Sequence, residues 1–402
     1  MRIALATVGT TGDVIPFRAL GRRLVAAGHE VTIVTWPVHQ ETLGIPGARV
    51  VAAGPQADRA RITAVAAAAA RQGPMEQVAT LRDFHLGDGE AHYRRLRAVL
   101  PGHDLVLLHG IHALAHAAAL DEGLPWATVT FDPVLLPTRA APPPGMPGLG
   151  PANRLLWRIL DCALARLGRP LDELLARAGS DQRGLPLFRA RSPLLHLVAC
   201  SPSIIVTPPD LPGTTRITGA WVDEAPPPPL PRELKSFLED GPQPVVITFG
   251  SMAGISASEL DLAVGLLLDG GRRVVVQAPC GLASPNLVEI GPVDHRALFR
   301  RAAVVVHHGG AGTTHAACAA GVPSVVVPQV GDQRYWAGRL RRLGVAPEPV
   351  NAGTDSGRRV AEAALAVAAD PARHVAAGAL ADRLAAEDGV AASVTLLEAT
   401  AR

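Results

Sequence analysis

The stretch of this 402-residue chain that most limits its fold is an apolar run ending in a cluster of glycines. Residues 304–307 (Val-Val-Val-His) predict a buried parallel strand, and residues 308–312 (His-Gly-Gly-Ala-Gly) predict a tight turn. A helix is expected to begin at about Thr313 or Thr314. Glycines let backbone N–H groups approach a ligand, and a helix start offers unpaired donors and a positive dipole end. The segment therefore predicts a binding site for a diphosphate.

Side chains beside this turn add hydrogen-bond donors to the predicted site. His308 has a structural alternative, a satisfied core histidine, but its place in the turn rather than within the strand favours contact with phosphate. Thr313 adds a hydroxyl, and Gly310 and Gly312 leave room for phosphate oxygens. Ser251 lies in a second glycine turn, after an earlier apolar run, and is expected to donate to the same phosphates; a plain turn serine is the alternative.

A carboxylate and an amide follow the next apolar run. Asp332 and Gln333 come shortly after the strand predicted at residues 324–327, and such a pair suits the hydroxyls of a sugar. Asp332 has an alternative role as the N-cap of a helix predicted at residues 335–343. A diphosphate site followed by a sugar site indicates a sugar nucleotide as ligand.

These residues together resemble a known signature. Residues 308–314 followed by Gly331-Asp332-Gln333 are similar to the donor-binding motif of family 1 glycosyltransferases, in particular the antibiotic-type and sterol-type enzymes of bacteria. The resemblance covers nearly the whole chain and is loose only at about residues 55–200. It implies an α/β protein of the GT-B fold, in which two Rossmann-like, doubly wound parallel-sheet domains face each other across a cleft.

The pattern along the chain predicts two domains, because 402 residues exceed one ordinary core. In the first domain we expect strands at residues 3–8, 31–35, 105–108, 127–130 and 203–207. The predicted divisions are an acceptor-binding domain at 1–222, a proline-rich linker at 223–231, a nucleotide-sugar-binding domain at 232–384, and a helix at 385–402 that returns to the first domain.

Asp13 is the candidate catalytic base. It follows the first glycine turn, where transfer of a sugar to a hydroxyl needs a group that takes up the proton. The resemblance implies this role, since the antibiotic-type and sterol-type enzymes carry Asp in the same G-D-V-x-P context. The alternative is an N-cap carboxylate ahead of Val14-Ile15-Pro16, and capping is compatible with catalysis. Asp332 is the rival carboxylate for acid–base work.

The sequence shows no D-x-D motif for a metal on the diphosphate, so we expect no metal and no cofactor. The co-substrate would be a UDP- or TDP-sugar. The resemblance assigns recognition of the pyrimidine to backbone groups near Val293, because the Trp of the plant enzymes is missing. The acceptor would be an apolar small molecule with a hydroxyl, contacted by Trp36, His109 and Phe131.

Composition excludes some classes of function. A net charge of +2 gives no electrostatic case for nucleic acid. The four cysteines are scattered, no apolar run is long enough to span a bilayer, and no leader precedes the first strand, so we expect a cytoplasmic protein. His112 and His116 have metal-ligand spacing, but without a third ligand they are interpreted as structural. The oligomeric state stays open.

Three alternatives remain at this point. A catalytically silent sugar-nucleotide-binding protein would keep the same motifs. An NAD(P)-dependent oxidoreductase shares the strand–turn–helix theme, but residues 9–12 (Gly-Thr-Thr-Gly) are not G-x-G-x-x-G, and no acidic residue ends the second strand. A GT-B epimerase or phosphorylase would differ in its donor signature.

Overall fold

The computed structural model describes residues 1–69, 72–144, 146–250 and 254–401. The chain divides into two compact units. Unit 1 comprises Met1–Glu224 and Asp388–Arg402, and unit 2 comprises Ala225–Glu387. In the part of the chain that the structure describes, no helix is both long and apolar enough to cross a bilayer.

A parallel sheet forms the centre of unit 1. Its strands in the described residues are β1 (Arg2–Ala6), β2 (Glu30–Thr35), β3 (Ala48–Ala52), β4 (Leu105–His109), β5 (Trp126–Thr130), β6 (His196–Val198) and β7 (Thr215–Ile217). The spatial order is β3-β2-β1-β4-β5-β6-β7, so the direction of winding reverses between β1 and β4. Ligands of such sheets bind outside the carboxyl ends of the strands at this reversal.

Helices cover both faces of this sheet. They are α1 (Thr11–Ala26), α2 (Arg59–Ala69), α3 (Pro74–Leu86), α4 (Gly89–Val99), α5 (Ala113–Asp121), α6 (Asn153–Leu167) and α7 (Arg169–Arg177), with short 3-10 turns at Pro37–His39 and Gly150–Ala152. Ile3 and Leu5 of β1 pack into one core cluster, whereas Ala4 and Ala6 pack into another. The continuous apolar strand is therefore explained by burial on both faces.

Unit 2 repeats the arrangement on a smaller sheet. Its strands are β8 (Val245–Thr248), β9 (Val274–Val276), β10 (Leu287–Glu289), β11 (Val304–His307) and β12 (Ser324–Val326). Its helices are α8 (Arg232–Glu239), α9 (Ala257–Asp269), α10 (His295–Leu298), α11 (Ala311–Ala319), α12 (Gln333–Arg342), α13 (Ser356–Ala368) and α14 (Pro371–Ala385), with a 3-10 turn at Phe299–Arg301. The order β10-β9-β8-β11-β12 places the reversal between β8 and β11.

The last helix, α15 (Gly389–Thr400), packs in unit 1. Leu397 lies in the same core cluster as residues of β1 and α1. The indole Nε1–H of Trp221 donates to Ser393 Oγ at 2.7 Å, and both residues are buried. Gly389 starts the helix against the carbonyl of Gly219, and a Cβ at this position would clash with that backbone. The helix is thus an integral part of the unit 1 core.

The unit boundary lies inside the segment predicted as a linker. Asp223, which is buried, accepts ion pairs from Arg18 at 2.9 Å and Arg22 at 3.5 Å, both on α1. Glu224 pairs with Arg23 of the same helix at 2.8 Å. These contacts hold Asp223 and Glu224 in unit 1, so the chain leaves that unit only at Ala225.

The strand expected at residues 203–207 was a wrong prediction. The structure has a turn there, in which the N–H groups of Ile204 and Ile205 both donate to the carbonyl of Ser201 at 3.1 Å. The strand that the sheet uses is β6, which is only three residues long and pairs in parallel with β5 and β7. The predicted strand was therefore placed after this turn, whereas β6 lies before it.

Candidate active site

The first turn of α11 faces the carboxyl end of β11. The helix begins at Ala311, earlier than the predicted start at Thr313 or Thr314, so Gly312 and Thr313 belong to its first turn. Its N-cap residue is Gly310, and no side chain caps the helix. The first N–H groups are therefore available to an anion, and the helix dipole adds positive potential at the same place.

The imidazole of His308 lies between two glycines at the strand reversal of unit 2. A Cβ at Gly310 would clash with His308 Nε2, and one at Gly250 would lie 3.3 Å from His308 Cε1. Gly250 follows β8 and has a φ of +60°, which favours glycine. His308 Nδ1 is buried and has no hydrogen-bond partner among the described residues. Burial, with a smaller effect from His295, lowers the pKa of His308 to about 4, so the ring is neutral at pH 7.

The neighbouring residues brace this turn. His307 Nδ1 accepts a hydrogen bond from Gly309 N–H at 3.1 Å, which gives His307 a structural role. Thr313 is 9% exposed, and Thr314 is fully buried. Thr314 Oγ1 has no hydrogen-bond partner in the described part of the chain. Ser251, the predicted donor on the matching turn, lies outside the described residues.

Asp332 and Gln333 are both partly occupied by local contacts. Gln333 Oε1 accepts from the N–H groups of Gln329 at 2.7 Å and Val330 at 3.1 Å, which leaves only its amide NH₂ to donate elsewhere. Asp332 Oδ2 accepts from Trp336 Nε1–H at 2.5 Å. Asp332 is the N-cap residue of α12, but its side chain makes no capping hydrogen bond. The helix begins at Gln333, two positions before the predicted Tyr335.

Asp13 lies at the strand reversal of unit 1, in the first turn of α1. The N-cap of this helix is Thr10, and Asp13 occupies the third helical position, which corrects the alternative of an N-cap carboxylate. Asp13 Oδ2 accepts from Thr10 N–H at 2.8 Å and from Thr10 Oγ1–H at 2.9 Å. Gly9 has a φ of +115°, and a Cβ there would lie 2.5 Å from Asp13 Oδ2. The turn therefore fixes the position of the carboxylate.

Three further titratable groups among the described residues interact electrostatically with Asp13: His39, His109 and Asp132. His109 ends β4, and its Nδ1 lies 3.3 Å from the carbonyl oxygen of Val8. Burial lowers the pKa of His109, against the opposing attraction of Asp13. Asp132 follows β5, and burial together with the negative charge of Asp13 raises its pKa. The carboxyl ends of β1, β4 and β5 thus bring two carboxyl groups and one imidazole near one another.

The structure separates the predicted acceptor residues into two groups. His109 and Phe131 lie together, with ring centroids 5.1 Å apart, and both contact Phe17. Trp36 belongs to a different cluster, where its ring centroid lies 5.4 Å from that of Phe84. Val293, expected near the nucleobase, packs its side chain against a core cluster of unit 2.

Comparison with known proteins places the chain among sugar-transferring enzymes. Residues 257–399 match the model of the erythromycin biosynthesis protein CIII-like C-terminal domain, and residues 3–51 match the glycosyltransferase family 28 N-terminal domain. The chain is 34% identical to O-mycaminosyltylonolide 6-deoxyallosyltransferase of Streptomyces fradiae, with coverage of 99% of this chain and 97% of that protein. It is 33% identical to vancomycin aglycone glucosyltransferase of Amycolatopsis orientalis, covering 100% and 98%. The chain belongs to the family 1 glycosyltransferases.

A solved structure agrees with the fold of this glycosyltransferase. The glycosyltransferase VinC in complex with dTDP is 19% identical, with a TM-score of 0.70 and coverage of 100% of this chain and 99% of that one. The GT-B prediction is confirmed, with a Rossmann-like parallel sheet in each unit. The chain is a glycosyltransferase enzyme. The alternatives of a silent binding protein and of an oxidoreductase are therefore excluded.

Sequence reasoning missed a histidine cluster in unit 1 of the glycosyltransferase. His85, His92 and His112 line one small cavity with apolar residues, and the rings of His92 and His112 are 5.1 Å apart. His92 Nδ1 and His112 Nε2 are buried without hydrogen-bond partners among the described residues, as is Trp36 Nε1. Trp36 follows β2, His85 lies on α3, His92 lies on α4, and His112 is the N-cap of α5. Because these elements are separate in sequence, no local spacing could have predicted the cluster.

The pair His112 and His116 has structural contacts. His112 is the N-cap of α5, where its Nδ1 accepts from Ala115 N–H at 3.4 Å. His116 packs on Trp126, with ring centroids 4.4 Å apart. Within the described residues, no group of three or more His, Cys, Asp or Glu side chains is arranged to hold a metal ion.

The contact between Gly310 and His308 yields a prediction about donor binding. A Gly310→Ala substitution should displace the His308 ring, because the added methyl and Nε2 cannot share the same space. We expect the Kd for the nucleoside diphosphate to rise about tenfold, the loss of one hydrogen bond to a charged group. Calorimetry measures this. Gly378→Ala is the matched control, since its Cβ meets no atom within 4 Å; equal affinities for the two variants would contradict the role of His308.

Proposed function

We propose that this glycosyltransferase inverts the anomeric centre and needs no metal ion. It transfers a sugar from a TDP- or UDP-sugar to a hydroxyl of an apolar small molecule. The observation that carries the proposal is the uncapped start of α11 beside the His308 imidazole. Backbone N–H groups, the helix dipole and a side-chain donor meet there, and together they can stabilise the charge on a leaving diphosphate.

Asp13 of unit 1 acts as the general base in this mechanism. Its carboxylate takes the proton of the acceptor hydroxyl while that oxygen attacks the anomeric carbon on the face opposite the diphosphate. The bond between the sugar and the diphosphate oxygen breaks, and the products are the glycoside and the nucleoside diphosphate. Both hydrogen bonds from Thr10 go to Oδ2, which holds the carboxylate in one orientation. His109 and Asp132 set the local charge around it.

The donor contacts are assigned to unit 2. Gly310, Gly312 and Thr313 in the first turn of α11 bind the diphosphate with His308, and Ser251 completes this set in the proposal. The NH₂ of Gln333 and the carboxylate of Asp332 bind the sugar hydroxyls. Backbone groups near Val293 bind the pyrimidine. Thymidine diphosphate is favoured over the uridine nucleotide, because the fold relative VinC was solved with dTDP.

The acceptor contacts are assigned to unit 1. Phe131 and His109 lie beside Asp13 and offer an aromatic face next to the base. Trp36 and the histidine cluster lie further along the same edge of the sheet and would contact a more distant part of the acceptor. The names of the two similar proteins give O-mycaminosyltylonolide and the vancomycin aglycone as acceptors, which supports a large natural product as the acceptor here.

Removal of the His308 side chain should slow transfer strongly. We expect His308→Ala to lower kcat/KM by about 10²-fold, the usual cost of losing one donor to a developing negative charge. Added Mg²⁺ should not restore the rate. The measurement is the initial rate of nucleoside diphosphate release with EDTA or Mg²⁺ present. His374→Ala, on α14, is the control, and full activity of His308→Ala would refute the assignment.

The test of the whole proposal combines binding and product analysis. Purified protein is titrated with UDP, TDP, GDP and NAD⁺ in a calorimeter, with EDTA throughout. Tight binding of TDP or UDP alone would support the donor site and show which nucleobase it accepts. The anomeric configuration of the product, determined by NMR, then separates inversion from retention. Binding of NAD⁺ alone, a retained configuration or a strict metal requirement would each contradict the proposal.

A further inference from the structure

A separate groove lies at the amino-terminal edge of the unit 1 sheet. It has a volume of about 360 Å³, and its walls include the first residues of β6 and β7, His196 and Thr215. Asp13 and His109 lie at the carboxyl ends of the strands, which is the opposite edge of the same sheet. The groove is therefore distinct from the proposed catalytic site.

Arg189 is a buried cation in this groove, and its guanidinium carbon lies 5.1 Å from the centroid of the Trp157 ring. Its side chain is only 4% exposed, and its Nη1 donates to Asp161 Oδ1 at 2.6 Å. The Asp161 side chain is 57% exposed, so water screens much of this ion pair. Arg189 Nε is buried and has no hydrogen-bond partner in the described part of the chain. Burial lowers the pKa of Arg189, and the ion pair with Asp161 opposes this effect.

A second guanidinium adds to the positive charge. Arg191 lines the same groove two residues further along the chain. The two arginines repel each other, and this repulsion contributes to the lowered pKa of Arg189. Within the described residues, Arg191 forms no salt bridge of its own. Arg189 and Arg191 thus share one carboxylate, that of Asp161, which is largely exposed to solvent.

The wall of the groove also contains the ring of His196. It is 1% exposed, and burial lowers its pKa to about 4, so it is uncharged at pH 7. Thr128 Oγ1 accepts from Ser192 N–H at 3.0 Å and lies within hydrogen-bond distance of His196 Nδ1, at 2.8 Å. His196 Nε2 is buried without a hydrogen-bond partner among the described residues.

The segment at residues 189–192 is hydrogen-bonded to backbone carbonyls at β4 and β5. Ala190 N–H donates to the carbonyl of Gly110 at 2.9 Å, and Ser192 Oγ donates to the carbonyl of Trp126 at 2.5 Å. The backbone that carries the arginines on either side of Ala190 is therefore held in place before any ligand arrives, which reduces the entropic cost of binding.

We propose that this groove is a second ligand site, which binds a small organic anion through its phosphate or carboxylate group. The guanidinium groups of Arg189 and Arg191 donate to the oxyanion, since a guanidinium group matches the geometry of a phosphate or a carboxylate. The volume exceeds that of one phosphate group, so the organic part of the ligand lies in the remainder of the groove beside Thr214 and Thr215. The site does not depend on the mechanism proposed above.

The experiment titrates the full chain with inorganic phosphate and, separately, with citrate at constant ionic strength. Saturating TDP is present throughout, so that the diphosphate site of unit 2 does not contribute. We expect one binding event per chain with at least one of the two probes. Phosphate alone would indicate a phosphorylated ligand, and citrate alone a carboxylated one. If neither phosphate nor citrate binds, the proposal is overturned.

Three variants locate the event. Arg191→Gln should weaken binding at least tenfold, as expected for the loss of a charge-assisted hydrogen bond. Arg158→Gln makes the same charge change at an exposed position on α6 and should leave the affinity within about twofold. Thr214→Val tests the groove without a change in charge. Equal effects of the two arginine substitutions would overturn the proposal. TDP binding, measured in the same samples, reports independently on the donor site.

Discussion

Replacement of Asp13 by asparagine is expected to lower kcat/KM by about 10²–10⁴-fold, the range typical for loss of a general base. Asparagine keeps an oxygen that can accept from Thr10, so the start of α1 and the folded structure should persist. What is lost is the ability to take up the acceptor proton. The measurement is steady-state transfer with the best acceptor found in a screen, at pH 7.5, with TDP binding measured in parallel.

The control for this substitution is Asp181→Asn, which changes the same group at an exposed position of unit 1. We expect the activity of this variant to match that of the parent protein. TDP affinity should be unchanged in both variants, because the donor contacts are assigned to unit 2. Retention of more than one third of the activity by Asp13→Asn, with an unaltered unfolding temperature, would rule out Asp13 as the base.

Acid should unfold this protein at a mild pH. Seven buried or half-buried histidines have a pKa lowered from 6.5 to about 3 or 4, chiefly by burial: His85, His92, His116, His196, His295, His307 and His308. The unfolded chain therefore binds more protons than the folded chain below pH 6.5. Their stabilising contribution is complete above pH 6.5 and is lost as the pH falls towards 4.

The expected effect is large because the histidines act in parallel. Each one that stays neutral when folded lowers the unfolding free energy by about 1.4 kcal/mol for every pH unit below 6.5. A few such groups match the total stability of about 5–15 kcal/mol that is common for folded domains. Urea unfolding followed by circular dichroism at pH 7.5, 6.5, 5.5 and 4.5 should show a steep fall of the midpoint.

One histidine can be tested singly. His116→Gln removes a buried imidazole that packs on Trp126 and should make the loss of stability between pH 6.5 and 5.5 less steep. The comparison variant is His374→Gln, which lies on α14 and is not fully buried. A midpoint that stays constant from pH 7.5 to 4.5 in the parent protein would show that the buried rings are not what limits acid stability.

The parts of the fold that the sequence predicted are those with long apolar runs. Residues 304–307 form β11 and residues 3–6 lie in β1 because each run is buried on both faces of its sheet. β6 escaped prediction because three residues give no periodicity, and a turn at Ser201 follows it. The start of α11 was predicted two or three residues too late, because no capping side chain marks the true start at Ala311.

The candidate site was predictable only where one segment carries it. His308, Gly310 and Gly312 lie within five residues of one another, so the glycine turn alone predicted the anion site. Asp132 and the histidine cluster could not be found in this way. Asp132 comes near Asp13 because β5 lies two strands from β1, and this neighbourhood depends on the strand order. Long-range pairing of this kind leaves no mark in local composition.

The position of α15 has a consequence for how the protein is made. Val390 and Leu397 complete the core of unit 1, yet they follow the whole of unit 2 in the chain. Unit 2 is synthesised entirely before them and can fold while the chain is still being extended. Unit 1, although β1 is made before unit 2, must wait for α15 with an unfilled groove beside Trp221. The amino-terminal unit is therefore the one that depends longest on protection from aggregation in the cell.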